Sequence, residues 1–237
     1  MKSVRYLIVN ADDFGLSPGV NRGIITAHEQ GIVTSASLMV RWPAAARAAA
    51  YGREHPQLSL GLHFDLAEWA YREDCWVPLY EVVPADDHVA VAREAVRQLA
   101  AFHDLVGCNP SHLDSHQHVH RRDPARSILI EMARDLGVPL RDFTPQVRYC
   151  GGFYGQGPKG DPFPEGIAVD SLIRLLAQLT SGITELGCHP GEEEEMDSMY
   201  VYERREEIRT LCDSQIREAI ATEGIELCSF RTYPRGL

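Results

Sequence analysis

The chain has 237 residues, 44% hydrophobic and 24% charged, with a formal net charge of −11. That size and composition fit one large domain over residues 1–237 and argue against a disordered chain. The acidic balance argues against nucleic acid or an anionic membrane surface as the main partner, and no apolar stretch is long enough for membrane insertion.

The first element is an apolar run, Tyr6-Leu7-Ile8-Val9, read as a buried parallel strand over residues 4–10. Asp12 and Asp13 follow it, and Ser17-Pro18 then reads as the cap and first residue of a helix over 18–30. Two adjacent carboxylates at the C-terminal end of a strand repel each other unless a cation or a proton neutralises them. Further strands are expected at 33–40, 58–63, 111–115, 138–142, 183–188 and 226–231. Helices are expected at 43–55, 87–106, 123–136, 170–180 and 203–223. Seven strands separated mostly by helices imply a parallel sheet with right-handed crossovers, open or closed. Asp12–Asp13, His63, the His112–His120 cluster and His189 all fall at strand C-terminal ends, which favours a barrel whose mouth gathers them.

Two long connections interrupt the alternation. Residues 64–84 carry Trp69, Tyr71, Trp76 and Tyr80, and residues 144–168 are rich in Gly and Pro. Loops of that length in a compact domain serve function or are disordered. The acidic run 192–195 reads as solvated loop. None of the six cysteines forms a C-x-x-C pair, so all read as reduced structural residues. The short N-terminal apolar run is no signal peptide, and the expected location is the cytoplasm.

The segment from His112 to His120 places His, Asp, His, His and His at alternate positions. In an extended strand alternate residues share a face, which makes a metal-binding or proton-transfer surface. With His63 and Asp13, His116 completes one carboxylate and two imidazoles, a common ligand set for a catalytic divalent ion. Imidazoles favour zinc, while the carboxylate would also accept magnesium.

These motifs resemble a known family. Asn10-Ala11-Asp12-Asp13-Phe14-Gly15, Gly61-Leu62-His63-Phe64, His112-Leu113-Asp114-Ser115-His116-Gln117-His118-Val119-His120 and Cys188-His189-Pro190-Gly191 are similar in order and spacing to the YdjC-like carbohydrate deacetylases. That family includes the ChbG chitooligosaccharide deacetylases and the HpnK proteins. The resemblance implies a distorted (β/α) TIM-like barrel of about seven parallel strands. It also implies one divalent metal and hydrolysis of an N-acetyl group from an amino sugar or oligosaccharide. By position it makes Asp13, His63 and His116 the metal ligands, Asp12 the catalytic base and His189 the general acid. Asp114, His118 and His120 are expected to orient those ligands. Trp69, Trp76 and Tyr154 are candidates to stack on a sugar ring, and Arg141 and Arg148 to hold a substrate phosphate or carboxylate. A homodimer is a family-level expectation. Competing readings are a metal-dependent hydrolase of a non-sugar amide, a metallophosphoesterase, and a sugar-binding protein without catalysis.

Overall fold

A computed structural model describes residues 4–192 and 197–234. In chain order the elements are β1 (Arg5–Phe14), α1 (Pro18–Glu29), β2 (Ser35–Leu38), α2 (Ala45–Glu54), β3 (Ser59–Phe64), β4 (Ala67–Arg72), β5 (Cys75–Glu81), α3 (His88–Val106), β6 (Leu113–Ser115), α4 (Ala125–Leu136), β7 (Val147–Cys150), α5 (Val169–Ala177), β8 (Gly182–Cys188), α6 (Tyr202–Leu211), α7 (Ser214–Thr222) and β9 (Ile225–Cys228). Short 3-10 turns lie at His116–Arg121 and Pro164–Ile167. As expected, Ser17 caps α1: its Oγ accepts from Val20 N at 3.0 Å, and Pro18 follows.

Seven strands pair in parallel in the order β6-β3-β2-β1-β8-β7, with β9 joining β1. β1 is the hub. Its residues 5–11 pair with β8, residues 5–8 also pair with β9, and β2 is registered from Asn10 to Phe14. The sheet curls into a half-barrel, and Leu140 adds one parallel bridge to Leu113 beside the β6 edge.

The curl sorts side chains by strand alternation. Leu7, Val9 and Ala11 face outward into the large core with α1, α2 and the other covering helices. Inside the curl, Ile8 packs with Val147, Ile183, Cys228 and Phe230 in a second apolar cluster. Two and four residues further along β1, Asn10 and Asp12 enter a buried polar cluster. The interior is therefore an apolar plug at one end and a polar site at the other.

Several expected elements differ. The segment 138–142 contributes only the Leu140 bridge, and the neighbour of β8 is instead β7. The single helix expected over 203–223 is two, because Asp213 turns extended and accepts from Gln215 N to cap α7. Residues 64–84 form an antiparallel hairpin, β4–β5, turning at Glu73 and Asp74, both in the left-handed region (φ 49° and 62°). The strand expected at 111–115 is β6, but the single face read from the alternation of His112 to His120 ends with it, because Gln117 and His118 adopt φ of 47° and 52°. Of the acidic run, residues 193–195 lie outside the described residues.

α1 lies against the segment after β8. A Cβ on Gly23 would stand 2.4 Å from Gly191 Cα and 2.6 Å from Gly191 N, so backbone meets backbone. Gly23→Ala is expected to cost about 1–3 kcal/mol, the range for overpacking, read as a lowered urea midpoint.

Candidate active site

Adjacent residues on a strand point to opposite faces, yet Asp12 and Asp13 both line one cavity. The cause is Asp13, whose φ of 68° breaks the alternation at the end of β1. Such a conformation costs a non-glycine residue of order 1–3 kcal/mol and persists only where the surroundings impose it. The cavity measures about 520 Å³ and is lined from the strand ends, the hairpin, the 116–121 turn, the segment 151–160 and residues 198–204.

Asp13 is the meeting point of three side chains. His63 Nε2 lies 3.3 Å and His116 Nδ1 3.0 Å from Asp13 Oδ1, and Arg204 donates to Oδ2 at 2.6 Å. The ligand atoms of Asp13, His63 and His116 lie within 4.8 Å of one another. His63 is held by its other nitrogen, 2.8 Å from Asp114 Oδ1. A carboxylate and two imidazoles, one already oriented by an outer carboxylate, suit a divalent ion.

Arg141 organises the other half. Its guanidinium is fully buried and donates to both oxygens of Asp12 (2.7 Å each) and to Glu185 (2.8 Å), and pairs with Asp114 Oδ2 at 2.7 Å. Its face rests 4.6 Å from the Tyr149 ring centre. Burial pushes the Asp12 carboxyl up, but Arg141 outweighs it and leaves Asp12 below the usual carboxylate range. Glu185 keeps the effect of burial and rises to about 7. Arg141 is therefore consumed inside the protein and does not serve a substrate anion. Arg148 does not either: it is exposed, outside the cavity lining, and donates to the carbonyls of Thr180 and Ser181.

His189 stands with Nε2 3.8 Å from Asp12 Oδ2 and Nδ1 3.9 Å from Glu207 Oε1. Burial lowers its pKa to about 4, so the resting imidazole is neutral. Glu207, raised to about 8 by burial, accepts from the His189 backbone N–H and from the Tyr200 hydroxyl.

Of the residues expected to orient the ligands, Asp114 does so directly, through His63. The left-handed turn at 117–118 sends the other two elsewhere. His118 lines the cavity between His120 and Tyr149, and His120 bonds Ser115 Oγ (2.6 Å) and Asp142 (3.3 Å). Trp69, Trp76 and Tyr154 all line the cavity and are 39%, 50% and 38% exposed. Arg204, Glu207, Glu185 and Glu68 carry no sequence signal as site residues. Arg204 and Glu207 lie in the run Tyr202-Glu-Arg-Arg-Glu-Glu, which reads as a solvated helix face.

Residues 6–222 match the model of the YdjC-like protein family. The chain belongs to that family. A carbohydrate deacetylase of Geobacillus stearothermophilus is 33% identical over 257 residues, covering 97% of this chain and 98% of the relative. A chitooligosaccharide deacetylase of Klebsiella pneumoniae (strain 342) is 33% identical over 258 residues, covering 96% and 98%. Among solved structures, a protein of Enterococcus faecalis V583 matches with a TM-score of 0.76 at 24% identity, over 97% of this chain and 99% of its own. A family 4 carbohydrate esterase of Streptomyces lividans, in complex with acetate, matches with a TM-score of 0.55 at 13% identity, over 98% and 96%. These two structures show that the fold is shared. Among the described residues no helix is long and apolar enough to cross a membrane.

Two predictions follow from this geometry. Arg141→Met leaves Asp12, Asp114 and Glu185 as uncompensated buried acids, and is expected to cost about 3–5 kcal/mol in urea unfolding. For the second, burial opposes protonation of His63, but Asp114 and Asp13 outweigh it and raise the pKa from 6.5 to about 9 in metal-free protein. A metal must displace that proton. Zinc affinity should therefore rise with pH up to about 9, by roughly tenfold per pH unit for each proton displaced, with the His63 contribution levelling off above that; calorimetric titration at several pH values checks it.

Proposed function

We propose that this protein is a metal-dependent N-deacetylase that hydrolyses the acetamido group of an amino sugar or short oligosaccharide and releases acetate. The observation that carries the reading is one cavity holding both a divalent-ion ligand set, Asp13, His63 and His116, and a carboxylate–imidazole pair, Asp12 and His189. Names of relatives one-third identical over nearly the full length support the same chemistry.

The donor set favours zinc by affinity, with magnesium acceptable to the carboxylate. When bound, such an ion polarises the acetyl carbonyl and acidifies water. The remaining work falls to the protein. Asp12, kept ionised by Arg141, takes a proton from the attacking water. His189 Nε2, 3.8 Å from the Asp12 oxygen, receives that proton in turn and delivers it to the departing amine nitrogen. The C–N bond breaks only with that proton, because an amine anion is too poor a leaving group. Trp69, Trp76 and Tyr154 offer ring faces to the apolar side of a pyranose.

The test is acetate release from N-acetylglucosamine, short chitooligosaccharides, their phosphates and a glycolipid mimic, using protein reloaded with zinc, cobalt or magnesium. Asp12→Asn should lose at least 10²-fold in turnover while keeping stoichiometric metal. Asp13→Asn, His63→Ala and His116→Ala should lose the metal itself. Near-normal turnover in Asp12→Asn would defeat the assignment of the base. Metal-loaded protein that releases acetate from none of the sugars would point to a non-sugar amide or to binding without catalysis.

A further inference from the structure

The chemistry above leaves one cavity carboxylate unused. Glu68 is 6% exposed and sits on β4 where the pairing with β5 shifts register between Glu68 and Trp69. Its Oε2 stands 3.9 Å from His116 Nε2. That nitrogen is buried and has no hydrogen-bond partner, while the other ring nitrogen, Nδ1, lies 3.0 Å from Asp13. The imidazole is thus suspended between two carboxylates. A histidine that gives one nitrogen to a metal generally donates its other N–H to a carboxylate or carbonyl, which fixes tautomer and ring orientation. His63 has such a partner in Asp114.

A second contact keeps Glu68 in place although its hairpin is not paired to the seven-stranded sheet. Gln117, the residue after His116, donates Nε2–H to Trp69 O (3.0 Å) and accepts at Oε1 from Trp69 N (3.1 Å). This side-chain amide splices the backbone beside Glu68 to the backbone beside His116.

We propose that Glu68 is the positioning residue of His116: its carboxylate accepts a hydrogen bond from Nε2–H when Nδ1 is given to a divalent ion. Metal occupancy and the placement of the hairpin that carries Trp69 and Trp76 are then coupled through one hydrogen bond. This rests on the reading of Asp13, His63 and His116 as the metal ligands.

The experiment is zinc titration of the full chain against a chromophoric chelator, for wild type, Glu68→Ala, Glu68→Gln and His63→Ala. Ring ¹⁵N spectra of the zinc-loaded proteins accompany it. Glu68→Ala should weaken zinc binding by about 10–100-fold without lowering the urea midpoint of metal-free protein. Glu68→Gln, which keeps an acceptor oxygen, should recover part of that loss. Zinc-loaded wild type should show one imidazole protonated at Nε2 and metal-bound at Nδ1, with its Nε2–H signal moved upfield and exchanging faster in Glu68→Ala. Should the alanine variant fail to fold, Glu68→Leu replaces it as the variant without an acceptor. Wild-type affinity and an unchanged Nε2–H signal in the acceptor-free variant, with zinc lost from His63→Ala, would overturn the role of Glu68 and leave the metal centre standing. Zinc binding unchanged in His63→Ala would overturn both.

Discussion

The site depends on one buried cation. Arg141 draws carboxylates from three strands onto a single guanidinium: Asp12 of β1, Asp114 of β6 and Glu185 of β8. Three acids this close repel strongly at low dielectric, and Arg141 pairs with all three. The consequences pass outward in order. Burial would raise the Asp114 carboxyl, but Arg141 and His63 together hold it far below the usual range. Ionised, it turns Nε2 of His63 toward Asp13. The orientation of a proposed metal ligand therefore traces back to an arginine that does not line the cavity.

Asp13 shows the same economy of charge. Burial pushes its carboxyl up, and Arg204, His116 and His63 overcome that and hold it well below the usual range. The imidazoles respond reciprocally: His63 and His116 are both raised by the acids around them, against the effect of burial. In metal-free protein two imidazolium protons thus supply the positive charge that a divalent ion would bring. The pocket keeps its electrostatic balance in either state, and exchange between the states is proton-linked.

How much of this was legible follows from backbone geometry. Asp12, Asp13, His63 and His189 lie at or just beyond the ends of long buried strands, where an apolar run and a polar terminus give the position directly. The alternation from His112 to His120 misled because period two holds only in extended backbone, and nothing in Gln117-His118 announces a left-handed turn. His116 keeps its place before that turn, whereas His118 and His120 are carried away from the ligand set. Nothing local to Arg141 marks it as buried, because the acids that pair with it come from three distant strands. Arg204 and Glu207 sit in an unbroken charged run, Glu203-Arg204-Arg205-Glu206-Glu207, so no apolar position there marks the face turned inward. The hairpin did leave a trace: Trp69 and Tyr71, then Trp76, alternate with other residues around Glu73-Asp74, the pattern of two aromatic strands and a tight turn.

The clamp on Asp12 weakens it for its proposed task, since a carboxylate below its usual pKa is a poor base. The neighbouring imidazole resolves the difficulty. His189 is lowered to about 4 by burial and rests neutral, so it lacks the acidic imidazolium proton that an amine leaving group needs. A strong base at Asp12 would hold the abstracted proton and leave the departing amine without an acid. A weak base 3.8 Å from a neutral imidazole holds it only in passing. In the proposed mechanism, the lowering of Asp12 by Arg141 favours transfer of the proton onward to His189 and then to the departing nitrogen. In that proposal, the same guanidinium that compensates the buried acids also biases the direction of proton flow.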